Sequence, residues 1–249
     1  MTGRAGSLVV VGTGPGRIEL MTPATSAALA DATDLVGYGP YLDRVPPRAG
    51  QCRHASDNRQ ELDRARLALA LAAAGRQVAV VSGGDPGVFA MAAAVFEAVE
   101  AGEPAWRDLD IRVEPGVTAM LAAAAEVGAP LGGDFCAISL SDNLKSRAII
   151  ERRLRAAADA DFVIALYNPA SKARPTQLGD AFALLRTIRA GTTPVLFVRA
   201  AGTGQARVIA ATLDDADASC ADMRTLVIVG ASRTRRVGRW IYTPRSERS

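Results

Sequence analysis

The feature that most limits what this chain can fold into occurs three times in its first half: a strand-like run that ends in a glycine loop opening a helix. Leu8–Val11 leads into Gly12-Thr-Gly-Pro-Gly16, and a helix follows from Thr22-Pro23. Thr22 suits an N-cap, and Pro23 suits the first helical position, where its missing N–H costs nothing. Val78–Val81 leads into Ser82-Gly-Gly-Asp-Pro-Gly87 and an apolar helix over Val88–Val99, with Asp85 placed to cap it. Ile111–Val113 leads into Pro115-Gly-Val-Thr118 and a helix over Ala119–Val127, stopped by Gly128, with Thr118 as its N-cap. Between these, Asp34–Gly37 reads as a strand, and a helix capped by Asp57 runs to Ala74 with Gly75 as its stop. Strands alternating with helices imply a parallel sheet. All three loops then lie at the carboxyl ends of their strands, the edge where open α/β sheets bind ligands.

A Gly/Pro-rich stretch at Gly128–Gly133 divides the chain into an N-terminal α/β domain, 1–128, and a C-terminal α/β domain, 129–249. The second domain reads as the strand Phe135–Leu140, a basic helix about Ala148–Ala158, the strand Phe162–Leu166 and the helix Thr176–Arg189. Strands at Pro194–Val198, Val208–Ala211, Leu226–Val229 and Trp240–Tyr242 follow without intervening helices, which implies a mixed sheet with hairpins. No apolar run reaches the length of a membrane span. The start of the chain lacks the order of a signal peptide, and Cys52, Cys136 and Cys220 form neither a disulfide framework nor a metal pattern. These points lead us to expect a soluble, cytoplasmic protein without a metal site.

Charge is unevenly spread. Residues 1–139 carry a net −5 and residues 140–249 a net +8. Charge alone admits a solvated basic surface or a half that receives an anionic partner. Nucleic acid is one such partner, but aromatic residues make up only 5% of the chain and offer no stacking platform, and a small polyanion fits at least as well. The first loop invites a nucleotide reading that its details oppose. A dinucleotide fingerprint needs Gly or Ala where Arg17 stands, and the next strand ends at Gly37-Tyr38 without the acid that holds a ribose. No Lys-Ser or Lys-Thr follows to make a phosphate loop.

Taken together, Gly12-x-Gly-Pro-Gly16, Leu20, Thr22, Gly37-Tyr38, Gly84-Asp-Pro-Gly87 with Phe89-Ala-Met91, and Gly116-Val-Thr-Ala119 resemble the tetrapyrrole methylase family. Gly128-Ala-Pro-Leu131, the segment Asp134–Asp142, Tyr167-Asn-Pro169, Arg174-Pro175 and Trp240-x-Tyr-Thr-Pro-Arg245 are similar to one branch of it, which methylates precorrin-3B at ring carbon 17. The resemblance spans nearly the whole chain. It implies a homodimer of two-domain subunits with S-adenosylmethionine in the cleft between the domains and a tetrapyrrole polycarboxylate above it. It also implies that methylation accompanies contraction of the macrocycle to precorrin-4 in cobalamin biosynthesis. Matched position by position, the cofactor would touch Gly83, Gly84, Asp85, Thr118, Ala119, Tyr167, Asn168 and Ala200. The substrate would lie against Gly14 and Pro15, with its carboxylates received by Lys145, Arg147, Lys172 and Arg174. Arg152 and Arg153 belong to the same basic set, or to a solvated helix face.

Gly133 stands where the family commonly has a histidine. An imidazole there would be the natural acid or base for ring contraction. The catalytic group for that step is therefore unassigned, with His54, the single histidine, and Asp134 as candidates. Methylation of another precorrin carbon, or a weakly catalytic corrinoid-binding role, remains open at this level.

Overall fold

The computed structural model describes residues 6–246 apart from 59 and 172. It forms two compact units, Met1–Thr118 and Ala119–Ser249. The boundary falls ten residues before the one expected at Gly128. The helix Ala119–Val127 packs against strands of the second unit, which draws it across.

The first unit contains, in chain order, β1 (Ser7–Gly12), α1 (Pro23–Asp31), β2 (Asp34–Tyr38), α2 (Gly39–Leu42), β3 (Cys52–Ser56), α3 (Glu61–Ala73), β4 (Gln77–Ser82), α4 (Met91–Ala101) and β5 (Asp110–Glu114). Its five strands form one parallel sheet in the order β3-β2-β4-β1-β5. Strands of such a sheet are covered on both faces, which is why β1 and β4 read as unbroken apolar runs. Alternation then divides them. Leu8, Val10, Val78 and Val80 pack with Ala65, Leu69 and Val95 of α3 and α4, whereas Val9, Val11, Ala79 and Val81 pack with Leu29 and Leu42 of α1 and α2. Each of these buried Val and Leu side chains contributes about 1.5–3 kcal/mol.

Three local readings need correction. Asp57 does not cap α3, whose N-cap is Gln60; instead the Asp57 amide donates to Gln60 Oε1 at 3.1 Å. The helix expected from Val88 begins at Met91, because Phe89 holds a left-handed φ of 51° and breaks the run. Asp85 is accordingly not its cap. Strand β3 was not expected from the sequence; its exposed, polar face carries no apolar period. The Thr22 cap stands, with its hydroxyl accepting from Thr25 N at 3.1 Å.

The second unit comprises α5 (Ala119–Val127), β6 (Gly128–Ala129), β7 (Phe135–Ser139), α6 (Arg147–Asp159), β8 (Val163–Tyr167), α7 (Gln177–Arg186), β9 (Pro194–Arg199), β10 (Arg207–Thr212), β11 (Thr225–Val229), β12 (Arg235–Val237) and β13 (Trp240–Tyr242). Its main sheet is mixed, in the order β10-β9-β11-β8-β7. β7 and β8 are parallel, while β11 runs antiparallel to both β8 and β9. The carboxyl ends of β7, β8 and β9 therefore share one edge. Helices α6 and α7 cover one face through Ile150, Leu154, Phe182 and Leu185, and α5 packs on β9 and β11. A small sheet of β12, β13 and β6 completes the unit. Helix α7 ends three residues before the expected Arg189. That arginine turns its guanidinium onto the carbonyls of Ala157, Ala158 and Phe162, so it closes the end of α6 instead of extending α7. No helix is long and apolar enough to cross a membrane among the described residues.

Candidate functional site

In the first unit the three glycine loops are bound to one another at the carboxyl edge of the sheet. Gly14 and Gly84 exchange two backbone hydrogen bonds, of 3.1 and 2.8 Å, and Thr13 N donates to the Ser82 carbonyl at 2.9 Å. A Cβ on Gly116 would lie 2.2 Å from the Gly84 carbonyl oxygen, and one on Gly12 would lie 2.6 Å from the same atom. Glycine is required at both positions because one carbonyl is wedged between two backbones. Asp85 ties the second loop to the third: its Oδ1 accepts from Gly87 N at 2.8 Å and its Oδ2 from Gly116 N at 3.0 Å.

These contacts refine the expected ligand floor. The place a side chain would take at Gly83 is filled by the Tyr41 ring, 2.8 Å from an added Cβ. The Gly14 N–H is taken by Gly84 and the Gly14 carbonyl accepts from it, which leaves one lone pair of that carbonyl, and Pro15 beyond it has no N–H. Gly84 holds φ +64°, so any side chain there is strained whatever binds nearby. Thr118, the last residue of the unit, is buried.

In the second unit the shared edge carries Ser139, Tyr167, Asn168 and Ala200. The Tyr167 hydroxyl accepts from Met120 N, in the first turn of α5, at 3.1 Å, and Asn168 Nδ2 donates to Ser139 Oγ at 2.9 Å. Asn168 and Ala200 both sit at left-handed φ, 53° and 52°. Asparagine tolerates this region, whereas alanine there costs of order 1 kcal/mol and persists only where its surroundings hold it. Ala200 is held by its carbonyl, which accepts from the Thr203 amide and hydroxyl.

A model of the Tetrapyrrole (Corrin/Porphyrin) Methylases matches residues 7–217 of this chain, through both loop sets. The chain belongs to that family. It is 59% identical to a precorrin-3B C(17)-methyltransferase from Sinorhizobium sp., over 96% of each chain. It is 41% identical to a probable cobalt-factor III C(17)-methyltransferase from Salmonella typhimurium, covering 96% of this chain and 98% of that one. The crystal structure of the methyltransferase CobJ superposes with a TM-score of 0.94 at 56% identity, covering 96% of this chain and all of that one.

The basic residues expected at the substrate lie on segments that leave the same edge of this methylase's second unit. Arg174 donates to Asn143 Oδ1 at 2.6 Å and so joins the segment after β8 to the one after β7. Its Nε is buried without a partner. Arg147 opens α6 and pairs with Asp180 at 2.5 Å, an exposed contact worth little. Burial, and then the neighbouring Arg153, push the Lys145 ammonium below its ordinary pKa. Lys172 lies outside the described residues. Arg152 and Arg153 are exposed on α6, the solvated face that was the alternative for them.

The catalytic candidates are not at these edges. His54 Nε2 lies 2.9 Å from Asp34 Oδ1, and Asp34 begins β2 at the end of the sheet opposite the glycine loops. Asp134 precedes β7, where its carbonyl accepts from Val163 N at 3.0 Å. Ser139 lies five residues further along the strand, about 16 Å away. Gly133 is beside it, and a Cβ there would meet Thr243 Cγ2 at 3.0 Å. Neither position reaches the Tyr167–Asn168 edge of its own unit.

Sequence reasoning missed the tyrosine over Gly83, the Asp85–Gly116 tether and Arg64, which is buried on α3. Only the last left a sequence signal: a cation at a position where the helical period demands hydrocarbon.

Proposed function

We propose that this methylase transfers the methyl group of S-adenosylmethionine to carbon 17 of precorrin-3B, with ring contraction to precorrin-4, as a homodimer in cobalamin biosynthesis. The observation that carries this is 59% identity along 96% of both chains to a protein bearing that activity's name. In the first unit, Gly83, Gly84, Asp85 and Thr118 are the residues that would hold the cofactor. In the second, they are Ala119, Tyr167, Asn168 and Ala200. The residues fit such a group, because the strained Asn168 and Ala200 and the left-handed Gly84 are backbone conformations maintained at ligand edges. When bound, the cofactor supplies a methyl group on a sulfonium, ready for direct transfer to a nucleophilic carbon. What the chain must contribute is alignment and exclusion of water, and no charged side chain is needed at the reacting centre. The basic segments at the second unit's edge, with Lys145, Arg147 and Arg174, would receive the carboxylate arms.

The deciding experiment is incubation with methyl-labelled S-adenosylmethionine and precorrin-3B. The expected product carries one added label and the absorbance of a contracted ring. Label in a product still at full ring size would remove the contraction step, and no label would overturn the activity. A parallel arm with cobalt-factor III tests the substrate named for the Salmonella relative.

Asp85 gives a cleaner mutational test than Gly84, whose strain would confound any side chain. Asp85→Ala cuts both tethers, while Asp85→Asn keeps an acceptor for one. S-adenosylhomocysteine affinity, read by calorimetry, is expected to fall about tenfold or more in the alanine variant and less in the asparagine variant, since each lost bond to a charged acceptor is worth about 1.5–3 kcal/mol. Equal affinities across the three proteins would show that the tether plays no part in cofactor binding.

A further inference from the structure

The apolar face of α3 consists of Ala65, Ala68, Leu69 and Ala72, with Arg64 buried among them at 5% exposure. Its Nε donates to Ser56 Oγ at 2.8 Å, one terminal nitrogen donates to the Asp57 carbonyl at 2.8 Å, and the other meets Met91 Sδ at 3.2 Å. Three of about five N–H groups are thereby used, one of them on a weak acceptor. Arg64 forms no ion pair with any described residue. Burial lowers its pKa, and Glu61 and the Tyr41 phenol oppose that only through space. The contrast with Arg189 is instructive. That buried guanidinium donates from its terminal nitrogens to the carbonyls of Gly230, Ala157, Ala158 and Phe162 and has the Asp161 carboxylate at 3.8 Å. Arg189 is a structural clamp with a counter-ion; Arg64 has no carboxylate paired with it among the described residues.

A cation removed from water without a counter-ion is costly, and a methionine of similar volume would fill the space without that cost. The position of Arg64 indicates what the charge serves. Ser56 ends β3, and Met91 begins α4, directly after the loop of Gly83–Gly87. The guanidinium thus lies at the carboxyl edge of the parallel sheet. Ser56 is half-buried and Asp57 exposed, and among the described residues no ion pair joins the Asp57 carboxylate to the guanidinium. A second cation, Arg44, stacks on the Tyr41 ring at 5.3 Å.

We infer that Arg64, with the Ser56 hydroxyl beside it, forms a subsite in the first unit that takes one carboxylate arm of the tetrapyrrole. The inference rests on the polycarboxylate substrate proposed above. An entering carboxylate takes the unused N–H groups and the one spent on sulfur, and a charge-assisted pair is the stronger bond.

The probe is uroporphyrin, a stable tetrapyrrole with acetate and propionate arms, titrated by fluorescence against the parent, Arg64→Met and Arg64→Gln. Both variants are expected to bind it about tenfold more weakly or worse, while S-adenosylhomocysteine affinity stays within about twofold because Arg64 lies outside the cofactor set. The ligand-free Met variant is expected to melt at or above the parent's temperature, because an unpaired buried charge has been replaced by hydrocarbon. A structural residue would show the reverse pattern, with a lower melting temperature and unchanged uroporphyrin affinity. That result, or variants that do not fold, overturns the subsite. A parent that fails to bind uroporphyrin overturns the tetrapyrrole reading and this inference with it. A parent that binds, with variants that bind equally well, overturns the subsite alone.

Discussion

Gly116→Ala is expected to destabilise the protein by about 2–3 kcal/mol or more and to abolish measurable S-adenosylhomocysteine binding. The added methyl would lie 2.2 Å from the Gly84 carbonyl oxygen and 2.8 Å from that of Gly12, both of them backbone. No rotamer change relieves such a contact. The third loop must move, and moving it pulls Gly116 N from Asp85 or Gly84 from Gly14. Gly12→Ala meets the same carbonyl from the other side at 2.6 Å, so the double variant should lose less than the sum of the two singles. Gly39→Ala is the control: an added Cβ there has nothing within 4 Å, and its stability should stay within about 0.5 kcal/mol. Urea denaturation and calorimetry on the four variants check this. A Gly116→Ala protein as stable as the Gly39 control would mean that the loops are not held as tightly as their backbone bonds imply.

This prediction also marks how far the sequence could be read. Glycine runs after apolar strands were enough to place three loops at one sheet edge, because the period of β1 and β4 and the stop after each are local signals. Which glycine serves a ligand and which serves a neighbouring backbone is not local. Gly12, Gly84 and Gly116 are distant in sequence, and only their shared carbonyl shows that two of them exist for the third. The second unit was legible for the same reason as the first, down to its mixed sheet. Its small third sheet was not, since β6 has two residues and β12 three, too short for any period.

The catalytic candidates were the least legible. His54 was singled out for being the only histidine, a reason of composition that says nothing about place. Its strand β3 carries no apolar alternation, so neither the strand nor the partner Asp34 twenty residues earlier could be seen. Gly133 was read from a family pattern without a position in space. The structure sets it before the amino end of β7, and it holds no left-handed φ that would oppose a side chain. Arg64 inverts the lesson. It broke the helical period of α3 in plain view, and a charge inside an apolar stripe indicates either a structural clamp or a site.

Asp34→Asn should separate the structural role of that histidine from a catalytic one. Asp34 is 2% exposed and accepts from Arg76 Nε at 2.7 Å and Thr33 Oγ at 2.7 Å, with His54 at 2.9 Å. Burial by itself would raise its pKa, but the bonds from Arg76, His54 and Thr33 outweigh it and hold the carboxyl below the ordinary value. A depressed folded-state pKa contributes stability that is fully present above the unfolded value of about 3.9. That stability is lost as pH falls through the folded value. The parent's urea midpoint should therefore hold between pH 7 and pH 5 as far as this group is concerned, and decline below about pH 4. The asparagine variant should be weaker by about 2–4 kcal/mol at pH 7, from lost charge-assisted bonds to partners that stay partly solvated. Its deficit relative to the parent should shrink on acidification, because protonation removes the same charge from the parent. Methyl transfer below the unfolding temperature should be unaffected, since the cluster lies at the far end of the sheet from the glycine loops. If the variant instead keeps full stability and loses turnover with an altered pH–rate profile, His54 works in the reaction and its partnership with Asp34 is catalytic.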